Sequence, residues 1–129
     1  MIIIDTNLYI AFKCGRHLDI YESMMFDRPV YLSSIVALEL FAGAKSSKSQ
    51  KNVEMLWDRY KKIDRILSPS IRGYKNSGKL IQKMTDQRKD VMSDVLIAVS
   101  ARESGAEVWT SDKDFLRILN HLDFKLKLV

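Results

Sequence analysis

Short apolar runs rich in β-branched residues alternate along the chain with longer segments of helical character, and this alternation constrains the fold most. The strand candidates are residues 1–4, 30–32, 66–68, 107–110 and 124–129. Strands separated by helices form βαβ units, which build a parallel sheet with helices on both faces. We therefore predict an α/β fold of three layers, α/β/α, around a short and mostly parallel central sheet.

Polar residues that favour helix ends mark where the helices begin and stop. The Asp5-Thr6-Asn7 sequence can cap a helix that starts at Leu8, and Ser33-Ser34 can cap a helix that ends at Gly43. Further helices are expected over residues 45–65, from 70 to about 88, 91–103 and 112–119.

Size and composition exclude several classes of protein. A chain of 129 residues indicates a single domain, 1–129, and its apolar runs are too short to cross a bilayer. No basic segment precedes the first apolar run as it does in a secretory signal, so we expect a cytoplasmic protein. Cys14 is the only cysteine, which excludes an intramolecular disulfide and a multi-cysteine metal site. The net charge of +5 admits nucleic acid as a partner without establishing it.

Four acidic residues occupy positions where a carboxylate needs a compensating partner. Asp94 and Glu39 each lie within the apolar stripe of a predicted helix. Asp5 and Asp112 follow strands, and the carboxyl ends of parallel strands are where open sheets bind ligands. The predicted fold would therefore bring all four carboxylates to one pocket.

Such a pocket requires protons or a cation. Each pair of like charges costs about 3 kcal/mol at about 5 Å with an effective dielectric near 20, and four charges form several such pairs. Oxygen ligands suit Mg²⁺ or Mn²⁺, which can bridge a substrate phosphate and activate water. Each position also has an ordinary explanation: Asp5 and Asp112 can be helix caps, and Glu39 and Asp94 can pair with a buried Arg or Lys.

Three motifs follow one another in the chain: IIIDTN at residues 2–7, SSIVALELFAGA at 33–44 and SDVLIAVSARESGAEVWTSDKDF at 93–115. Together they resemble the PIN-domain ribonucleases, and most closely the VapC-type toxins of bacterial and archaeal toxin–antitoxin pairs. The resemblance implies RNA cleavage with Mg²⁺ or Mn²⁺, a homodimer, and a small antitoxin protein whose tail enters the site.

The resemblance also implies residue roles. The catalytic and metal-binding acids would be Asp5, Glu39, Asp94 and Asp112, and the supporting residues would be Thr6, Asn7, Thr110 and Asp114. Residues 45–89 match no motif, and substrate choice could be decided there.

A basic stripe lies within the unmatched region. Arg72, Lys75, Lys79 and Lys83 recur at steps of three and four residues, which places them on one helical face. The stripe could follow an RNA backbone, with Tyr74 beside it to stack on a base, or it could simply be a solvated face.

The leading hypothesis is therefore a metal-dependent endoribonuclease that serves as the toxin of a type II toxin–antitoxin pair. The first alternative is a noncatalytic PIN-like protein- or RNA-binding module that keeps the acidic pocket for a basic partner. A phosphotransfer protein with Asp5 as acceptor is disfavoured, because Asn7 stands where a second acid would be needed. His17 and His121 have no motif neighbours and are given no catalytic role.

Overall fold

The computed structural model describes residues 1–84 and 91–129, with the side chains of all of these except residues 23–27. The strands are β1 (Ile2–Ile4), β2 (Val30–Ser33), β3 (Ile66–Leu67), β4 (Glu107–Thr110) and β5 (Lys125–Leu128). The helices are α1 (Thr6–Lys13), α2 (Leu18–Asp27), α3 (Ser34–Gly43), α4 (Ser47–Lys62), α5 (Ile71–Lys83), α6 (Val91–Ser104) and α7 (Phe115–Leu119).

The five strands form one sheet in the order β3-β2-β1-β4-β5, and every pairing between them is parallel. From β1 the chain adds β2 and then β3 on one side, and it returns to add β4 and β5 on the other. The order therefore reverses between β1 and β4, where Ile4 pairs with Trp109. The carboxyl ends of two strands at such a reversal flank a crevice that binds ligands in open α/β sheets.

Alternation along the strands separates two hydrophobic cores. Ile3 and Val108 point into a core shared with α3 and α6, whereas Ile2 and Ile4 point to the opposite face, against Leu8 of α1. Successive strand residues face opposite sides of a sheet, so a fully apolar strand such as β1 requires cover on both faces. The predicted α/β/α arrangement with a parallel sheet is thereby confirmed.

The structure differs from the predicted elements in several places. The segment between the first two strands holds two helices, and α2 was not predicted; Gly15 and His17, with φ of 78° and 55°, end one helix and begin the next. Helix α7 starts at Phe115 and not at Asp112. Helix α5 ends at Lys83, and the remainder of the predicted helix, to about residue 88, falls outside the described residues. Within the described ranges, no helix has the length and apolar character needed to span a membrane.

Candidate active site

Asp5 lies at the carboxyl end of β1 and is 3 % exposed. Its backbone N–H donates to the Trp109 carbonyl at 2.9 Å, which continues the pairing with β4. The Oδ1 atom accepts from the Thr6 N–H at 2.8 Å and caps α1, while Oδ2 accepts from the Thr110 hydroxyl at 2.8 Å. Asp5 is therefore a helix cap, and its second oxygen is oriented toward the end of β4.

The turn after β4 is tied to Asp5 through Thr110. The fully buried Thr110 hydroxyl accepts a hydrogen bond from the Asp112 N–H at 3.0 Å. Asp112 Oδ1 in turn accepts from the Asp114 N–H at 2.9 Å. This Asx-type turn holds Asp112 partly buried at the sheet edge, whereas Asp114 is exposed.

Glu39 reaches the same edge from α3. Ser33 ends β2 and caps α3, its hydroxyl accepting from the N–H groups of Ile35 and Val36 at 3.2 and 3.4 Å. Glu39 Oε1 accepts from the Thr6 hydroxyl at 2.8 Å. Thr6 thus contacts both acids, with its N–H on Asp5 and its hydroxyl on Glu39. Asn7, the next residue of α1, is exposed.

Asp94 lies in the first turn of α6, where the helix dipole favours a negative charge, yet its pKa is strongly raised. Burial, followed by repulsion from the other acids, raises the pKa of Asp94 to about 7. The repelling side chains are those of Asp5, Asp112, Glu39 and Asp114. Burial likewise raises the pKa of Asp5, against the lowering effect of its hydrogen bonds to Thr110 and Thr6. The structure thus brings all four predicted acids within electrostatic range of one another.

The alternative in which a buried cation neutralises the helix acids is not supported. Within the part of the chain that the structure describes, no Lys or Arg side chain forms an ion pair with Glu39 or Asp94. Glu39 has a hydroxyl partner instead, and Asp94 has a raised pKa in place of a counter-charge.

The side chains suit a divalent metal ion in chemistry but do not form a closed coordination shell. Among residues 1–84 and 91–129, no three His, Cys, Asp or Glu side chains are arranged to hold one ion together. Mg²⁺ is commonly bound by one or two carboxylates and keeps several of its waters, so it does not require such a shell. Carboxylates that repel one another and lack a basic partner are a suitable donor set for that kind of ion.

A cavity of about 470 Å³ opens beside the acids, and sequence reasoning missed it. Thr6 and Glu39 line one end, and apolar side chains that include Leu40, Val53 and Leu56 line much of the remainder. Two of these belong to α4, within the region that matches no motif, where the sequence indicates only the apolar face of an amphipathic helix.

The predicted basic stripe lies on the outer face of α5. Arg72, Lys75, Lys79 and Lys83 are all exposed, and Tyr74 is 50 % exposed. The opposite face packs on α6 so closely that a Cβ on Gly73 would lie 2.6 Å from Glu103 Oε1. Glu103 is nine residues after Asp94 on α6, about 13 Å along the helix axis. The stripe therefore begins at the end of α6 remote from the acids.

Comparison with known proteins agrees with the fold and the motifs. The PIN domain family matches residues 2–119. The chain is a member of the PIN domain family. A comparison with curated proteins gives no match.

Solved structures show where else this fold occurs. The structure of VapBC-1 from nontypeable Haemophilus influenzae matches with a TM-score of 0.76 and 24% identity, over 99% of this chain and 98% of that one. VapBC2 from Rickettsia felis, bound to a DNA fragment from its promoter, matches with a TM-score of 0.70 and 24% identity, over 100% and 99%. DNA-bound VapBC from Salmonella typhimurium matches with a TM-score of 0.67 and 18% identity, over 98% and 96%.

Proposed function

We propose that this protein is an Mg²⁺- or Mn²⁺-dependent endoribonuclease that acts as the toxin of a type II toxin–antitoxin pair. The observation that carries the proposal is the convergence of four acids where the strand order of the sheet reverses. These acids have no basic partner among the described residues, and the pKa of Asp94 is raised as a result of burial and their mutual repulsion. Membership of the PIN domain family supports nuclease chemistry. The likeness to VapBC complexes supports the toxin assignment.

Each acid has its own place in this mechanism. Asp5, Glu39, Asp94 and Asp112 would hold the ion directly or through water, and when bound it supplies Lewis-acid catalysis of phosphodiester hydrolysis. Thr110 orients Asp5 and Thr6 orients Glu39 through hydrogen bonds of 2.8 Å each. Asp114 supports the turn that carries Asp112. Asn7 is exposed, as Asp114 is, and we assign it to the mouth of the site.

Partners follow from the same proposal. The cavity beside the acids combines a largely apolar lining with one carboxylate, that of Glu39, which suits an antitoxin segment with apolar side chains and one basic residue. We also propose a homodimer, for which Leu38 of α3 and Ile71 of α5, 64 % and 92 % exposed, are candidate contact residues. RNA would be the substrate and the cytoplasm the site of action.

The test is cleavage of a pool of end-labelled RNAs of defined sequence by the purified protein, with Mg²⁺, with Mn²⁺ or with EDTA. We expect internal cuts with either metal, no cuts with EDTA, and no cuts by Asp94→Asn. Asp123→Asn is the matched control, because that side chain is 99% exposed and outside the site. Cleavage that persists in Asp94→Asn would contradict the proposal. Tight binding of a basic partner without any cleavage would support the noncatalytic module instead.

A further inference from the structure

A second cavity, of about 500 Å³, lies beside the first and is lined by residues of α1, α2, α4 and the segments that precede β2 and β3. Its polar side chains are of two kinds: three arginines, Arg28, Arg59 and Arg65, and three tyrosines, Tyr9, Tyr21 and Tyr60. None of the lining residues that the structure describes is acidic. The charged side chains that line this cavity are therefore basic, whereas those of the site at the end of β1 are acidic.

The Tyr9 hydroxyl is buried and lies next to the Tyr60 side chain. Burial, together with the neighbouring Tyr60 and Tyr21, raises the pKa of Tyr9 well above its usual value near 10. Tyr9 thus stays protonated and contributes its aromatic ring to the lining of the cavity.

Two of the three arginines lack an acidic partner within residues 1–84 and 91–129. The charge of Arg28 is already compensated, because its guanidinium group forms an ion pair with Glu107 at 2.8 Å and lies over the Trp109 ring. Arg59 and Arg65 form no ion pair with any described residue, although the Arg65 guanidinium lies 5.8 Å from the centre of the Tyr31 ring. Guanidinium groups match phosphate oxygens through paired donors, and they bind phosphate well at partly enclosed sites.

The second cavity is adjacent to the acidic site. Tyr9, Tyr21 and Leu56 line both cavities. Tyr9 is three residues after Thr6 on α1, about 5 Å along the helix axis, and Thr6 bonds both Asp5 and Glu39. The second cavity is therefore continuous with the cavity that Glu39 lines.

We propose that the second cavity binds one nucleotide of an RNA strand, with its phosphate on Arg59 and Arg65 and its base against the tyrosine rings. This inference rests on the proposed function for its substrate. Unpaired guanidinium groups next to aromatic rings favour single-stranded nucleic acid over an acidic peptide, since proteins bind unpaired bases by stacking them on such rings.

The test is fluorescence anisotropy with a labelled ten-nucleotide oligouridylate in EDTA, which keeps the RNA intact. Arg59→Gln combined with Arg65→Gln should weaken binding at least tenfold. The slope of the logarithm of the affinity against the logarithm of the salt concentration should also become shallower, by about 0.7 for each phosphate that is no longer neutralised. The matched control combines Lys48→Gln with Lys51→Gln, which removes two exposed charges from α4 outside the cavity. The control should change affinity less than threefold.

Arginine variants that bind like the lysine control would overturn the nucleotide site, as would a wild-type protein that does not bind the oligouridylate. A labelled hexaglutamate peptide serves as the competing probe. If the arginine variants lose binding of this peptide but bind RNA as the wild type does, the cavity binds an acidic peptide and the nucleotide site is overturned. Cleavage is measured separately with Mn²⁺. If the wild type does not cut RNA but binds it through Arg59 and Arg65, the nuclease fails and the nucleotide site stands. If it cuts RNA while the arginine variants bind like the control, the nuclease stands and the nucleotide site fails.

Discussion

The Thr110 hydroxyl donates a 2.8 Å hydrogen bond to Asp5 Oδ2, joining two residues that are 105 positions apart in the chain. The bond connects the carboxyl ends of β1 and β4 at the point where the strand order reverses. The same hydroxyl accepts from the Asp112 N–H at 3.0 Å. One buried side chain thus fixes two of the acids relative to each other.

Thr110→Val should weaken metal binding and lower stability. Valine keeps the shape of threonine but removes both hydrogen bonds, so the free energy of unfolding should fall by about 1 to 3 kcal/mol. Because the Thr110 bond lowers the pKa of Asp5, its loss also favours the protonated carboxyl. We expect Mn²⁺ affinity, measured by calorimetry, to fall by about 10- to 100-fold, as for other groups that orient metal ligands.

Thr110→Ser is the control for this variant, since serine keeps the hydroxyl. It should bind Mn²⁺ within a few-fold of the wild type. Equal metal affinity in the valine and serine variants would contradict the role given to the hydrogen bond.

The metal-free protein should become less stable as the pH rises from about 4 to 7. The pKa of Asp94 is about 7 in the folded chain and near 4 when unfolded, so the folded state holds a proton that the unfolded state releases over this range. The stabilising contribution is therefore full at low pH and lost as the pH passes through 7. A three-unit shift corresponds to about 4 kcal/mol, and the partial exposure of Asp94 reduces our expectation to about 1 to 2 kcal/mol.

Urea unfolding in EDTA at pH 5 and pH 8 measures this effect. Asp94→Asn cannot ionise, so it should be more stable than the wild type at pH 8 and lose this part of the pH dependence. If the difference in unfolding free energy between Asp94→Asn and the wild type is the same at both pH values, Asp94 does not have a raised pKa.

The basic stripe on α5 should contribute to RNA binding through charge. Lys75→Glu combined with Lys79→Glu should weaken binding of a labelled RNA and reduce its salt dependence by about one logarithmic unit or more. Lys45→Glu combined with Lys51→Glu is a control of equal charge on other exposed positions. If both pairs of changes have the same effect, the stripe is a solvated face.

Much of the fold could be predicted from the sequence because its strands are short, apolar and bounded by polar residues. The run Ile2–Ile4 followed by Asp5 indicates both a buried strand and the helix cap after it. Helix α2 was missed because its first residue follows His17, which makes no side-chain cap and has a positive φ. Gly15, at φ 78°, is the available signal for the break, since glycine favours that conformation at helix ends.

The acids of the site were predictable, whereas the contacts that orient them were not. Glu39 and Asp94 stand out because a carboxylate interrupts an apolar stripe. The bond from Thr6 to Glu39 depends on how α1 packs near α3, which periodicity does not specify. The second cavity combines Tyr9, Arg59 and Arg65 from three separate segments, and each of these residues alone indicates only ordinary packing or a solvated charge.

Calorimetric titration of Mn²⁺ into the purified wild type, Asp94→Asn and Asp123→Asn tests the central claim most directly, because it examines the acidic site without a chosen RNA. We predict saturable binding by the wild type and by Asp123→Asn, and its loss in Asp94→Asn. Equal Mn²⁺ binding by Asp94→Asn and the wild type, or no binding by the wild type at millimolar Mn²⁺, would contradict a metal site built from these four acids.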